Sequence, residues 1–288
     1  MFVAWTKEST GGLEMSNTCI LSVVGVDHGD KDLAAAVRMT CDAGGELQAI
    51  LVSCVPYPLI GGPGYGGDSP FALIWEEHRR LETQANELTS VLTAGGLRGM
   101  VTPVFCSSGQ VSSHVARHAN SADITVIGGT MANDLHLARR VVDGVLFHSS
   151  CPLLILPKRR VATLRPKQIV VAWNGRREAW IAVRSSITLL QNANRVHVAL
   201  VDVDSEASGE ANGADLAGFL LRHGVEVVID HLHGSDDPAI VLQRHAESLD
   251  ADLIVMGAYG HSRLGERILG GTTETMLQHP AIPVLMAR

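Results

Sequence analysis

Short apolar runs alternate along this chain with segments whose apolar residues recur every three or four positions. Ile20–Val26, Leu47–Ser53, Val101–Phe105, Ile124–Ile127 and Leu153–Leu156 have the length and aliphatic content of strands buried on both faces. The same kind of run returns at Ile169–Trp173, Val196–Val201, Val225–Ile229, Leu253–Met256 and Pro283–Met286. Helical spacing lies between them. Leu81, Ala85, Leu88 and Leu92 mark one helix; Trp180, Val183, Ile187 and Leu190 mark another; Leu216, Phe219, Leu220 and His223 mark a third that stops at Gly224. Asp236 or Asp237 can cap a helix with the stripe Ala239, Leu242, Ala246 and Leu249, and Arg263–Gln278 is expected to be the last helix. Strands separated by helices form a parallel sheet with right-handed crossovers and helices on both faces. Such a sheet binds ligands beyond the carboxyl ends of its strands, where the strand order reverses.

The pattern occurs twice. Ala122-Asp-Ile-Thr-Val-Ile-Gly-Gly129 matches Ala251-Asp-Leu-Ile-Val-Met-Gly-Ala258, and Arg117-His-Ala119 upstream of the first matches Arg244-His-Ala246 upstream of the second. Cys151–Leu156 parallels Ile282–Ala287, and Ile20–Gly29 parallels Gln168–Gly175. The blocks keep their order, as a tandem duplication requires. The expected organisation is a disordered leader over 1–17, one α/β domain over 18–157, a basic linker over 158–166 and a second α/β domain over 167–288. Each domain is a doubly wound, five-stranded parallel sheet. The Gly/Pro-rich stretch Pro56–Pro70 is expected to be a surface loop.

Composition narrows the chemistry. The formal charge of −7 opposes a broad nucleic-acid-binding surface, and the longest clean apolar runs are too short to span a membrane. Five cysteines, an odd number with no CxxC, fit free thiols in a reducing, cytoplasmic compartment. No metal site is expected. His231 and His233 share a strand face with no obvious third ligand and read as solvated; His118 and His245 recur in the repeat as helix residues that pack or cap locally. There is no GxSxG, no Walker GxxxxGK[ST] and no SGGxDS, so no catalytic residue is assigned and any ATP hydrolysis should be slow.

The chemistry-bearing segment follows the fourth strand of the second half. Gly257-Ala-Tyr-Gly260-His261 leads, nine residues after Gly260, to Gly270-Gly271-Thr272-Thr273. Glycines there allow close approach of a ligand, main-chain amides can trap an anion, and the threonine hydroxyls can donate to it. A plain strand-to-helix turn would use Gly257 and Gly260 equally well.

This spacing, with the strand-helix alternation and the closing Pro-Val-Leu, resembles the universal stress protein family over both halves. The resemblance implies the Rossmann-like fold of adenine nucleotide alpha hydrolases. It also implies ATP or another adenine nucleotide, with Mg2+ as its counter-ion, as ligand in a stress-response regulator. The implied site comprises Asn174, Met256, Gly257, Gly260, His261, Gly270, Gly271, Thr272 and Thr273. A non-nucleotide scaffold and a slow nucleotide hydrolase remain alternatives. Two departures weaken the expected site. Gly271 stands where binders of this family carry Ser or Thr, and Asn174 stands where they carry Asp. The first half keeps Asp27 but reads Gly128-Gly-Thr-Met131, has Val141 in place of a glycine, and is two residues shorter between this loop and its final Pro. Met131 and Val141 are expected to put side chains where phosphates need bare backbone, which would make the first half a structural partner. The resemblance further implies that the terminal strands Leu153–Leu156 and Pro283–Met286 pair the halves as a pseudo-dimer, with homodimerisation open.

Overall fold

The computed structural model describes residues 18–26, 29–55, 70–158, 160, 162–202, 213–234, 236–259 and 271–288. The expected leader, Asp27, most of the Pro56–Pro70 loop, and Gly260 to Gly270 lie outside the described residues.

The first half contributes β1 (Cys19–Gly25), α1 (Gly29–Ala43), β2 (Glu46–Val55), α2 (Pro70–Ala94), β3 (Gly99–Ser107), α3 (Val111–Ala119), β4 (Ile124–Ile127), α4 (Leu135–His148) and β5 (Leu153–Ile155). The second contributes β6 (Gln168–Ala172), α5 (Arg177–Ser185), α6 (Ile187–Asn192), β7 (Arg195–Asp202), α7 (Ala214–Arg222), β8 (Val227–His233), α8 (Pro238–Ser248), β9 (Leu253–Gly257), α9 (Gly271–Gln278) and β10 (Val284–Ala287). All ten strands belong to one sheet in the order β3-β2-β1-β4-β5-β10-β9-β6-β7-β8. Every pair is parallel except β5 with β10, where Val284 faces Ile155 and Met286 faces Leu153. Both strands are fully buried, so the pairing removes two apolar edges that would otherwise invite aggregation.

Each face of the sheet carries one aliphatic core that runs through both halves. Leu33, Met39 and Leu81 pack on one face with Val183, Leu190 and Leu216. Val115, Val141 and Val145 pack on the other with Leu242, Ala246 and Met276. The repeated Ala-Asp pair has a structural cause. Asp123 accepts the Cys19 amide at 2.7 Å, and Asp252 accepts the Lys167 and Gln168 amides at 2.8 and 3.1 Å. Each carboxylate clamps the entry of its half's first strand, satisfying amides that the sheet leaves open.

Three expectations need correction. The stripe Trp180, Val183, Ile187 and Leu190 spans two helices, because the chain breaks at Ser186 (φ −107°, ψ 10°). The buried Ser186 hydroxyl donates to the Ala182 and Val183 carbonyls at 2.8 and 3.2 Å, competing with the helix ladder. The third strand of the second half begins at Val227, not Val225. Gly224 turns with φ +76° and the Val225 amide still donates back to Leu220, closing α7. The basic linker expected over 158–166 also contributes to the core: Lys158 is exposed, but Ala162 and Leu164 are buried in the α1/α5 face. Of the last expected helix, residues 271–278 are described, as α9.

Candidate functional site

In the second half the strand order reverses between β6 and β9. From β6 the chain crosses through α5 to β7 on one side, and from β8 through α8 to β9 on the other. Ala172 is in register with Met256, so Asn174 and Ala258 leave adjacent strand ends at the reversal. A doubly wound sheet places its ligand at this point.

Asn174 is exposed, and its Oδ1 accepts the Arg176 amide at 3.1 Å. With Gly175 at φ +73°, this bond turns the chain from β6 into α5. The side-chain amide of Asn174 thus has its oxygen committed to the turn and its NH2 as the group left to meet a ligand. Met256 is a core residue: its side chain is 5% exposed and packs on the α8/α9 face, so only its main chain borders the site. Gly257 ends β9 against the first turn of α5. A Cβ there would lie 2.5 Å from the Ala179 nitrogen and 2.6 Å from the Glu178 carbonyl carbon. Helix packing alone therefore requires glycine at this position.

At the far side of the loop, α9 opens with Gly271, which is exposed, and a Cβ placed there meets nothing within 4 Å among the described residues. Thr272 is half-buried and Thr273 is buried with Met276 and Leu277. Gly260, His261 and Gly270 fall outside the described residues. Tyr259 has φ +61°, a sparsely populated conformation for a residue with a side chain. Its ring packs edge-on against Phe147 of α4 at 4.5 Å, and the Arg288 guanidinium lies 3.9 Å over Phe147. Burial pushes the Tyr259 phenol above its ordinary range. Arg139 of α4 also pairs with Glu274 of α9. The first half thus supports both ends of the second half's loop.

The equivalent place in the first half holds a carboxylate that the sequence pattern did not reveal. Asp32, on the first turn of α1, is 5% exposed and reaches across to the β4–α4 connection. It accepts the Thr130 amide at 3.1 Å and the Met131 amide at 2.8 Å. Gly128 is bare because Asp32 is there: an added Cβ would sit 2.0 Å from its carboxyl carbon. Main-chain amides aimed at a carboxylate are already satisfied by a charge-assisted pair of hydrogen bonds. Met131 and Val141, expected to obstruct a phosphate, do not project into that place. Both side chains are fully buried in the α3/α4 core. The counterpart of Asp32 in packing is Glu178, whose Cβ would lie 2.9 Å from one on Gly257.

The five cysteines are free thiols. No helix among the described residues is long and apolar enough to cross a membrane.

Residues 166–288 match the model of the universal stress protein family. Universal stress protein Slr1230 of Synechocystis sp. is 37% identical over 78 residues, which are 27% of this chain and 26% of that protein. The chain thus spans about a quarter of the length of this curated relative. A universal stress protein from Archaeoglobus fulgidus superposes over 95% of this chain and 96% of its own, with a TM-score of 0.67 and 17% identity. A putative universal stress protein from Pseudomonas aeruginosa covers 96% of this chain and 95% of its own, with a TM-score of 0.57 and 16% identity. At these identities the two structures speak to the fold. The second half, residues 166–288, thus matches the universal stress protein family, and the chain shares along nearly its whole length the Rossmann-like α/β fold of the solved universal stress proteins.

Proposed function

We propose that the protein is a stress-response regulator that binds ATP or another adenine nucleotide through its second half, residues 167–288. The observation that carries this reading is the position of Asn174 and Gly257 at the strand-order reversal between β6 and β9. The amides of Gly257, Gly271 and the glycines between them would hold the phosphates, with Thr272 donating its hydroxyl. Asn174 would present its NH2 to the ribose or base. The fit is steric as well as chemical, since the space beside Gly271 is open among the described residues. Mg2+ would accompany the phosphates as a counter-ion. Binding changes a surface read by a partner, without turnover. The first half is the structural partner of a pseudo-dimer, its own amide pair occupied by Asp32.

A scaffold that binds no nucleotide is the second reading. It is favoured by the packing of Gly257 on α5, which explains that glycine without a ligand. Calorimetric titration of the full-length chain with ATP and with AMP separates the two. Saturable binding at one site per chain supports the proposal. A folded chain that takes up neither nucleotide at millimolar concentration establishes the scaffold.

A further inference from the structure

Away from the strand-end loop, three elements bring together a cluster that no periodicity announces. His197 stands on β7, Asp230 on β8 and His245 on α8, all on the sheet face covered by α8. Nδ1 of His197 lies 2.7 Å from Oδ2 of Asp230, and Nε2 of His245 lies 2.9 Å from the same oxygen. One ligand atom from each of the three residues lies within 4.8 Å of the other two. We propose that His197, Asp230 and His245 form a binding site for a borderline divalent transition-metal ion such as Zn2+ or Co2+.

The donor set selects the ion. Two imidazoles and one carboxylate suit Zn2+ and its neighbours, whereas Mg2+ and Ca2+ want oxygen throughout. With metal–ligand bonds of about 2.0–2.2 Å, tetrahedral ligands stand roughly 3.3–3.6 Å apart; here each nitrogen lies 2.7 or 2.9 Å from Oδ2 and the two nitrogens lie within 4.8 Å of each other. The ion takes the place of the two protons now shared with Oδ2, and each imidazole nitrogen draws back from that oxygen by about half an ångström. The second oxygen of Asp230 is available to the same ion as the carboxylate swings. The three side chains come from separate, packed elements, so the fold brings them together before any ion arrives.

His197 is not locked against this exchange. A metal-free imidazole donating from Nδ1 carries a lone pair on Nε2, and one ligating through Nδ1 carries its proton there. Nε2 is buried without a hydrogen-bond partner among the described residues either way. No carbonyl on the far nitrogen holds the hydrogen-bonded tautomer. Access is also present. The His197 side chain is 8% exposed, but those of His245 and Asp230 are 18% and 20% exposed, beside the edge strand β8. The fourth coordination position opens on that side, to water or an outside ligand.

The first half serves as an internal control. Strand registers place Gln48 where His197 stands and Thr102 where Asp230 stands, leaving His118 alone opposite His245. The ligand set belongs to the second half only. His231 and His233, the pair that stands out in the sequence, alternate with Asp230 along β8 and are exposed, so they take no part.

The test is titration of the chelator-treated full-length chain with Co2+, read by visible absorption. One equivalent per chain with the intense bands of a four-coordinate ion is expected. Asp230→Asn and His245→Gln should each weaken binding by about 100-fold or more, since loss of an outer-shell partner alone costs about 10–100-fold. The double variant His231→Gln, His233→Gln should bind as the parent does. Paramagnetic broadening of amide resonances in the parent chain needs no variant and should centre on residues 197–199, 229–231 and 245. The proposal is overturned by any of three results: no saturable spectrum, broadening centred elsewhere, or binding that survives His245→Gln and disappears with His231 and His233.

Discussion

The connection after β4 and the connection after β9 occupy matching positions in the two halves, and they solve the same problem differently. Main-chain amides that leave a parallel strand for a helix need an acceptor. After β4 the acceptor is internal: Asp32 reaches from α1 and takes both the Thr130 and Met131 amides. After β9 the chain passes Tyr259, held at positive φ against Phe147, and enters α9 at a glycine where an added Cβ would have no neighbour among the described residues. Two halves of matching strand order can therefore differ in whether the amides after the fourth strand are satisfied by the chain's own carboxylate. The side-chain-free residues alone do not distinguish the copies, since Gly128 and Gly257 are both required by packing. The difference lies in what faces them.

The largest effect should come from removing the internal acceptor. Asp32→Ala leaves two amides without a partner and should cost about 3 kcal/mol in a urea-unfolding measurement. Glu178→Ala, at the matching position of the second half, should cost about 0.5 kcal/mol or less, as a partly exposed substitution does. Equal losses would remove the distinction between the halves. Next comes Gly271→Ser, which adds a hydroxyl at the start of α9. It should tighten ATP binding by about tenfold or more, since a hydrogen bond to a charged phosphate contributes about 1.5–3 kcal/mol. Unfolding should be unchanged, because the added atoms meet nothing within 4 Å among the described residues. Unaltered affinity would place the phosphates elsewhere.

Thiol labelling sharpens the comparison further, because all five cysteines lie in the first half. Burial pushes Cys106 and Cys151 up to about 11, so both should resist alkylation near neutral pH while exposed Cys41 and Cys54 react first. Their exposure under denaturant then reports unfolding of the first half alone. Early labelling of Cys151 in the native protein would contradict its place beside Thr125 and β5. The smallest effect concerns His118, whose pKa burial holds below the ordinary 6.5, with Arg117 and His114 adding to the shift. The unfolded chain binds this proton more readily, so its contribution to stability is complete above pH 6.5 and is lost as pH falls toward the depressed value. His118→Asn should flatten the stability profile over that interval relative to the parent.

Much of the fold was legible because strands buried on both faces write long aliphatic runs, and helices on one face write a period near 3.6. All ten runs became strands within a few residues of expectation. The break at Ser186 was not legible, because a serine inside a helical stripe signals a break only through the backbone bonds its hydroxyl makes. The candidate site divides along the same line. Asn174, Gly257 and Gly271 could be found because local turn chemistry sits at a predictable strand end. Asp32 could not, since its partners Thr130 and Met131 lie 98 and 99 residues away. His197 gave one faint signal, an imidazole at an inward position of an aliphatic strand. Its partners emerge only when β7, β8 and α8 are packed.

The most direct measurement follows the amide resonances of the full-length protein as ATP is added. Nucleotide binding in the second half predicts saturable shifts at Gly257, Gly271, Thr272 and Thr273, with Thr130 and Met131 unmoved behind Asp32. Shifts at Thr130 and Met131 on the same isotherm, or no second-half shifts with the chain folded and ATP in excess, would contradict it.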